Sequence, residues 1–285
     1  MFEVPGRRLV GLPFSDLCPP LLSNNGAGSM LLKQATGYVN NEAATVVEIR
    51  GGDESDLASQ SFEKGASFIQ HVVPLDAPVD ELHKRLHNSA QRAVRKAQRE
   101  GITTRVSTTR EDMRRFYDLN LMTRRKHGLI PQPWRFFDNI YRHMLAGGAG
   151  YLLLADFQGQ TIASDLLLSF KDQLTYKFNA SDPAFLHLRP NNLLMWSAIK
   201  LGSEKGHRSL DLGRCEDDNE GLRRFKLLWG AEERPLDYFY FPSADAGPTP
   251  TRRDDIRRRF LALLVRYAPD RVLEAAGAIF YRNFA

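Results

Sequence analysis

Cysteine is scarce in this 285-residue sequence: there are two, Cys18 and Cys215, and neither belongs to a Cys-x-x-Cys pair. That excludes a disulfide framework and a cysteine-based zinc site, so no structural metal is expected. Long apolar runs are lacking as well. Nothing approaches the roughly 18 residues that a membrane-spanning helix needs, and the opening MFEVPGRRLVGLPFSD has no signal-peptide apolar core. The expected compartment is the cytoplasm. What is present, 42% apolar and 26% charged residues, describes a folded globular chain long enough for one large domain or two modest ones.

Charge is unevenly spread. The net charge is +5, yet the stretch from Lys84 to Lys126 holds thirteen Lys or Arg against four acids, Glu100, Glu111, Asp112 and Asp118. A local balance of +9 leaves the remainder at −4. Such asymmetry points to a polyanionic partner: a nucleic acid, a phosphorylated or lipid-linked substrate, or an anionic membrane surface.

Periodicity orders the chain. Residues 1–75 show short extended segments, RRLVGLPF, ATVVEIR and SFIQHVVPL, between turn-forming stretches such as SNNGAGS, which predicts a β-rich opening. VDELHKRLHNSAQRAVRKAQREGI reads as one amphipathic helix, with Leu86, Ala90, Ala93 and Ala97 on its apolar side, a basic outer face, and Gly101 as its stop. Two more helices are expected over 110–127 and 133–146. Then YLLLADF, TIASDLLLSF and LTYKFNAS form an antiparallel meander, with turns at Gln158-Gly159 and Lys171–Gln173. A loop, DPAFLHLRPN, leads to the helix NLLMWSAIKLGSEKG, the strand SLDLG, the helix EGLRRFKLLWGA and the strand LDYFYF.

This order is similar to the element order of a GNAT-type acyltransferase domain. More specifically, RKAQREG, TRRKHG, YKFNASD, the Pro-Asn-Asn-Leu helix start, LDLGR and GLRRFKLLWGA, in that sequence over about residues 84–241, resemble the Fem-type peptidoglycan aminoacyltransferases and their BioF2-like GNAT relatives. The resemblance implies a mixed α/β (α+β) fold of tandem GNAT-like domains, the first short or incomplete. The expected division is 1–105 for that partial domain, 106–243 for the catalytic one, and 244–285 for a linker and helical tail. It also implies transfer of an acyl or aminoacyl group onto an amine of a cell-envelope or exopolysaccharide precursor, phosphate-bearing or lipid-linked. The donor is a co-substrate, aminoacyl-tRNA or acyl-CoA, with no resident cofactor.

Within EGLRRFKLLWGA, Leu222, Phe225 and Trp229 share one helical face, Arg223 and Lys226 the next, and Gly230 is a natural C-cap. Phe225, Lys226, Trp229 and Gly230 match the family's F-K-x-x-W-G segment. The resemblance implies that Lys226 lies near the acyl donor, where an ammonium can stabilise the carbonyl oxygen as it gains charge. Arg223 and Arg224 then meet phosphate or, as an ordinary solvated helix face, water. Asp211 lies inside LDLGR and Arg214 just past it; Asp211 either pairs structurally with a cation or moves a proton. Asp165, alone among apolar strand residues, is the other acid singled out, as a general base. Lys177 and Asn179, alternating on the third strand, are expected to face one side, and the family likeness of YKFNASD makes that the cleft side. Arg124, Arg125 and Lys126 end a helix, either for the dipole's sake or to bind phosphate. No Ser or Cys beside His127 sits in a nucleophile motif, so direct attack by the amine is the simpler chemistry. The stretch LHLRPNNLL lacks the glycines of the usual CoA pyrophosphate loop, and Pro190 has no N–H to offer, which disfavours CoA bound in the ordinary manner.

Two further expectations complete the reading. The tail RRRFLALLVRYAPDRVLEAAGAIFYRNFA, split by Pro269, predicts two short helices that either pack on the catalytic domain or give peripheral contact with the inner face of the membrane. A rival reading of the whole chain is a non-catalytic RNA- or nucleic-acid-binding module that uses residues 84–126, although that region carries no standard nucleic-acid motif.

Overall fold

The computed structural model describes residues 8–12, 14–21, 27–41, 44–243 and 262–282, and the chain divides into two units. In chain order the elements are β1 (Arg8–Val10), α1 (Ala27–Asn40), β2 (Val46–Arg50), α2 (Glu54–Ala58), β3 (Glu63–Pro74), α3 (Val79–Arg85), α4 (Asn88–Arg99), β4 (Thr103–Ser107) and α5 (Arg110–Lys126). There follow α6 (Trp134–Ile140), β5 (Gly150–Phe157), β6 (Gln160–Phe170), β7 (Gln173–Ser181), α7 (Pro190–Glu204), β8 (Ser209–Cys215), α8 (Glu220–Leu227), β9 (Glu232–Phe241) and α9 (Asp270–Arg282). A π-helical turn (Tyr141–Leu145) prolongs α6, a 3-10 helix (Pro183–Leu188) precedes α7, and residues 262–267 are helical ahead of α9. Among the described residues no helix is long and apolar enough to cross a membrane.

The first unit comprises Met1–Gln70, Arg214–Glu220 and Glu233–Thr251. Its strands lie in the order β1-β2-β9-β3, with β1 parallel and β9 antiparallel to β2. Alternation along β2 sends Val47 and Ile49 against Leu32 of α1 and Leu57 of α2, and Val46 toward Leu236, Tyr238 and Tyr240 on the other face. The opening is therefore not simply β-rich. Helix α1, which begins directly after a Gly- and Asn-rich stretch, has little intrinsic helix preference and is held by Leu32 and Thr36 turned inward.

The second unit comprises His71–Gly213, Gly221–Glu232 and Arg252–Ala285. Its strands run in the order β8-β7-β6-β5-β4, antiparallel except for the parallel pair β7 and β8. Helices cover both faces. Leu153, Ala155, Ala163 and Leu167 pack with α4 and α7 on one side, while Leu152, Leu154 and Leu166 pack with α5 and Phe137 on the other. The meander is as its alternation predicts, closed by Gln158 and Gly159 with φ of 50° and 79°.

One predicted helix is two. Leu86 turns extended (ψ 140°) and buries its side chain, so α3 ends and α4 begins afresh, with the His87 ring accepting from the Ser89 N–H. Carbonyls freed at the break, those of His83 and Leu86, accept from Gln91 Nε2 at 3.2 and 3.0 Å. The buried row on α4 is Ala90, Val94 and Ala97, with Val94 in the place expected for Ala93.

Candidate active site at a strand notch

The parallel ladder between β7 and β8 is short. It joins Gln173 to Ser209, Leu174 to Leu210 and Thr175 to Asp211, and then stops, although both strands continue. Local sequence explains the parting. Asp211 Oδ1 accepts from the Gly213 N–H at 2.7 Å, and Gly213 takes φ 71°, a left-handed conformation natural to glycine, which bends β8 away. On β7 the pairing with β6 skips Lys177, passing from Phe178 to Tyr176, so a bulge turns that strand too. The result is a notch at the carboxyl ends of two parallel strands, the place where open α/β sheets bind ligands.

Lys226 lies against this notch. It is 5% exposed, and its Nζ donates to the Gly213 carbonyl at 2.8 Å. Trp229, 1% exposed, anchors α8 in the core below, with Phe225 edge-on to it at 6.1 Å, and the Leu228 carbonyl accepts from the His87 N–H at 3.0 Å. The apolar face differs from expectation at one position: Leu222 is 39% exposed, and the inward stripe is half-buried Phe225 with buried Lys226 and Trp229. Arg224 is exposed and Arg223 half-buried. Asp211 is buried, holding the Gly213 N–H with one oxygen and accepting from Gln173 Nε2 at 3.4 Å with the other.

A second polar group runs beneath β7. Asp165 is fully buried, and its Oδ1 accepts from Tyr176 Oη at 2.8 Å and Asn179 Nδ2 at 2.7 Å, while Oδ2 has no partner. Burial pushes this carboxyl up to about 7, against the pull of the Asn179 and Tyr176 hydrogen bonds, and burial also raises the Tyr176 hydroxyl. Asn179 Nδ2 reaches on to Asn191 Oδ1 at 3.5 Å, and Asn191 Nδ2 to Ser181 Oγ at 3.4 Å, tying the group to the first turn of α7. Tyr176 and Asn179 share a side, both reaching Asp165, because the bulge at Lys177 interrupts the alternation. Sequence reasoning passed over Tyr176 as a site residue and left Asn191, directly after the helix-opening Pro190, open between a helix cap and a binding role. At that start Arg189 is left-handed (φ 67°) and Pro190 takes the first helical position.

Other residues singled out lie elsewhere. Arg214 belongs to the first unit, where its guanidinium stacks 3.8 Å from the Phe68 ring centroid and 5.0 Å from that of Tyr238, with Asp16 3.7 Å away. Arg124 donates to Tyr281 Oη at 3.0 Å and to the Ile130 carbonyl at 3.1 Å. Arg125 donates to the Ala268 carbonyl and to Asp270, so both bind the terminal segment, while Lys126 is exposed.

Residues 84–238 match the family described as an acetyltransferase (GNAT) domain. Among solved structures, FemX is similar at 18% identity and a TM-score of 0.64, over 83% of this chain and 82% of that one. The C-terminal domain of a proposed lysylphosphatidylglycerol synthetase from Agrobacterium fabrum is similar at 16% and 0.65, over 86% and 81%. L-PGS from Bacillus licheniformis follows at 13% and 0.59, over 85% and 78%. At these identities the likeness is one of fold. No curated protein sequence matches the chain.

Proposed function

Because the chain belongs to the acetyltransferase (GNAT) domain family and is an acyltransferase of that type, we propose that it moves an acyl or aminoacyl group onto an amine of a phosphate-bearing or lipid-linked cell-envelope precursor. The observation that carries this reading is the notch itself, with Lys226 Nζ buried against the Gly213 carbonyl where β7 and β8 part. The acceptor amine attacks the donor carbonyl directly. A C–N bond forms, the carbonyl oxygen gains negative charge beside the Lys226 ammonium, and as the C–S or C–O bond to the donor breaks the amine's proton passes to the departing sulfur or oxygen. A positioned donor of this kind contributes about 3 to 4 kcal/mol to lowering the barrier.

Asp211 is a positioning residue, since by holding the Gly213 N–H it aims the carbonyl that holds Lys226. Asp165, sealed from solvent, acts through Asn179 and Asn191 on the start of α7, where a donor's phosphates approach. Arg223 and Arg224, on the same helix as Lys226, are placed to meet phosphate of the donor or acceptor. The first turn of α7 offers Pro190 without an N–H and no glycine, which favours aminoacyl-tRNA over CoA as donor. The resemblance of these motifs to the Fem-type transferases favours the same choice. Part of the basic stretch is offset by ion pairs, Arg105 with Asp112 and Asp156, Arg110 with Asp138, and Arg115 with Glu111 and Asp112, which weakens it as a nucleic-acid platform by itself.

Purified protein offered labelled aminoacyl-tRNA and acyl-CoA, each with amine and sugar-amine acceptors, tests the proposal. Transfer from one donor class, lost in Lys226→Met, is expected. Absence of transfer from both donors to every acceptor would refute it.

A further inference from the structure

We propose that residues 262–282 form a face that docks on an anionic phospholipid surface. The segment is bound to the rest of its unit by one side only. Arg125 holds Ala268 and Asp270, Arg124 holds Tyr281, and Val265 and Leu273 are buried. Two glycines make the approach close. Gly128 leaves no room for a side chain against Ala262, and Gly277 none against the Pro131 carbonyl.

The opposite side is apolar. On α9, Val272, Ala275 and Ile279 recur at i, i+3 and i+7, all exposed, and ahead of it Leu263, Leu264 and Tyr267 are 61%, 54% and 78% exposed. Of the eighteen large apolar side chains exposed among the described residues, six lie in these 21 residues: Leu263, Leu264, Tyr267, Val272, Ile279 and Phe280. An apolar surface so concentrated marks a contact with something other than water.

Charge identifies the occupant. The segment's two acids are ion-paired, Asp270, itself still exposed, with Arg125 and Glu274 with Arg114 at 3.5 Å, while Arg266 and Arg271 stay exposed beside Tyr267 and Val272. The sequence adds Arg252, Arg253, Arg257, Arg258 and Arg259 just ahead; these, with Phe260, Leu261 and Phe284 of the predicted tail, lie outside the described residues. Exposed apolar and aromatic side chains flanked by arginine, with the acids offset by ion pairs, match an interface of anionic headgroups over acyl chains. The inference stands on this surface alone and does not need the acceptor assignment.

The test is co-sedimentation of the full chain with vesicles of phosphatidylcholine, with and without phosphatidylglycerol, at low and high salt. Binding only to the phosphatidylglycerol vesicles, weakened by salt, is expected. The pairs Leu264→Glu with Ile279→Glu, and Arg266→Glu with Arg271→Glu, each lower it by at least about tenfold. Both leave the thermal midpoint and transfer to a water-soluble acceptor unchanged. Equal binding to both vesicle types, or by both variants, overturns the proposal. So does sedimentation velocity showing a dimer that the same substitutions dissociate while vesicles stay unbound.

Discussion

Replacing Lys226 with Met separates a catalytic ammonium from a merely structural one. The side chain is 5% exposed and its Nζ sits 2.8 Å from the Gly213 carbonyl. Methionine has nearly the same length and volume, so packing around Phe225 and Trp229 is kept. Two stability effects oppose each other. The Gly213 carbonyl loses a charged donor, worth about 1.5 to 3 kcal/mol, while an ammonium with an effective burial cost of several kcal/mol is removed. The net change in unfolding free energy is expected within about 1 to 2 kcal/mol, in either direction. Turnover behaves differently under the proposed mechanism, because the developing oxyanion then loses its charged donor. A fall of about a hundredfold to a thousandfold follows, read in single-turnover transfer from whichever donor proves active, with urea denaturation alongside. Full activity in Lys226→Met would refute the site. A loss of activity that merely tracks a loss of folded protein would assign Lys226 to structure.

Trp229→Ala empties the largest fully buried side chain under α8 and is expected to cost about 3 to 5 kcal/mol in urea denaturation; a cost under 1 kcal/mol would mean that α8 is anchored otherwise. The Asp165 carboxyl is held near 7 in the fold against 3.8 for an unperturbed group. Its contribution to stability is therefore complete below about pH 4 and is lost as pH rises through 7, by about 1.4 kcal/mol for each pH unit between the two values. Asp165→Asn should remove that component, so the stability difference between the two proteins changes between pH 4 and 8; a constant difference would contradict it. Gly277→Ala forces a methyl group onto the Pro131 carbonyl and should destabilise α9 by about 1 to 3 kcal/mol. Amide exchange over 270–282 should speed up, and unchanged exchange would show that the close approach is absent.

Period-2 alternation with Gln158-Gly159 at its turn made the meander legible, since a half-buried strand and a tight turn are both local consequences of residue type. The α3/α4 break was not legible. It depends on Leu86 finding a place in the core and on Gln91 satisfying the carbonyls exposed at the break, and neither shows in a helical pattern that runs through both. Helix α1 escaped notice for a related reason, having packing in place of propensity. That Tyr176 and Asn179 share a face was not legible, because a bulge adds one residue to β7, and bulges have no reliable residue signature away from glycine.

For the functional groups the division follows distance along the chain. The sequence alone placed Phe225 and Lys226 on one short helix with Trp229 and Gly230 at its end, and showed the order of helices and strands, because helical spacing and strand alternation are properties of neighbouring residues; the likeness of that order to an acyltransferase came from the family resemblance. The sequence also showed a concentration of cations between Lys84 and Lys126. Only the tertiary structure decided what those cations meet. Arg105 finds Asp156, Arg110 finds Asp138, and Arg125 finds Asp270, each pairing bringing in an acid from beyond that stretch. The same holds for Asp165, which alternation could place on a strand but whose neutral tendency arises from burial, which outweighs the opposing pull of the Tyr176 and Asn179 hydrogen bonds. Burial and pairing are set by elements distant in sequence, and a carboxyl or guanidinium takes its charge state and its partner from them.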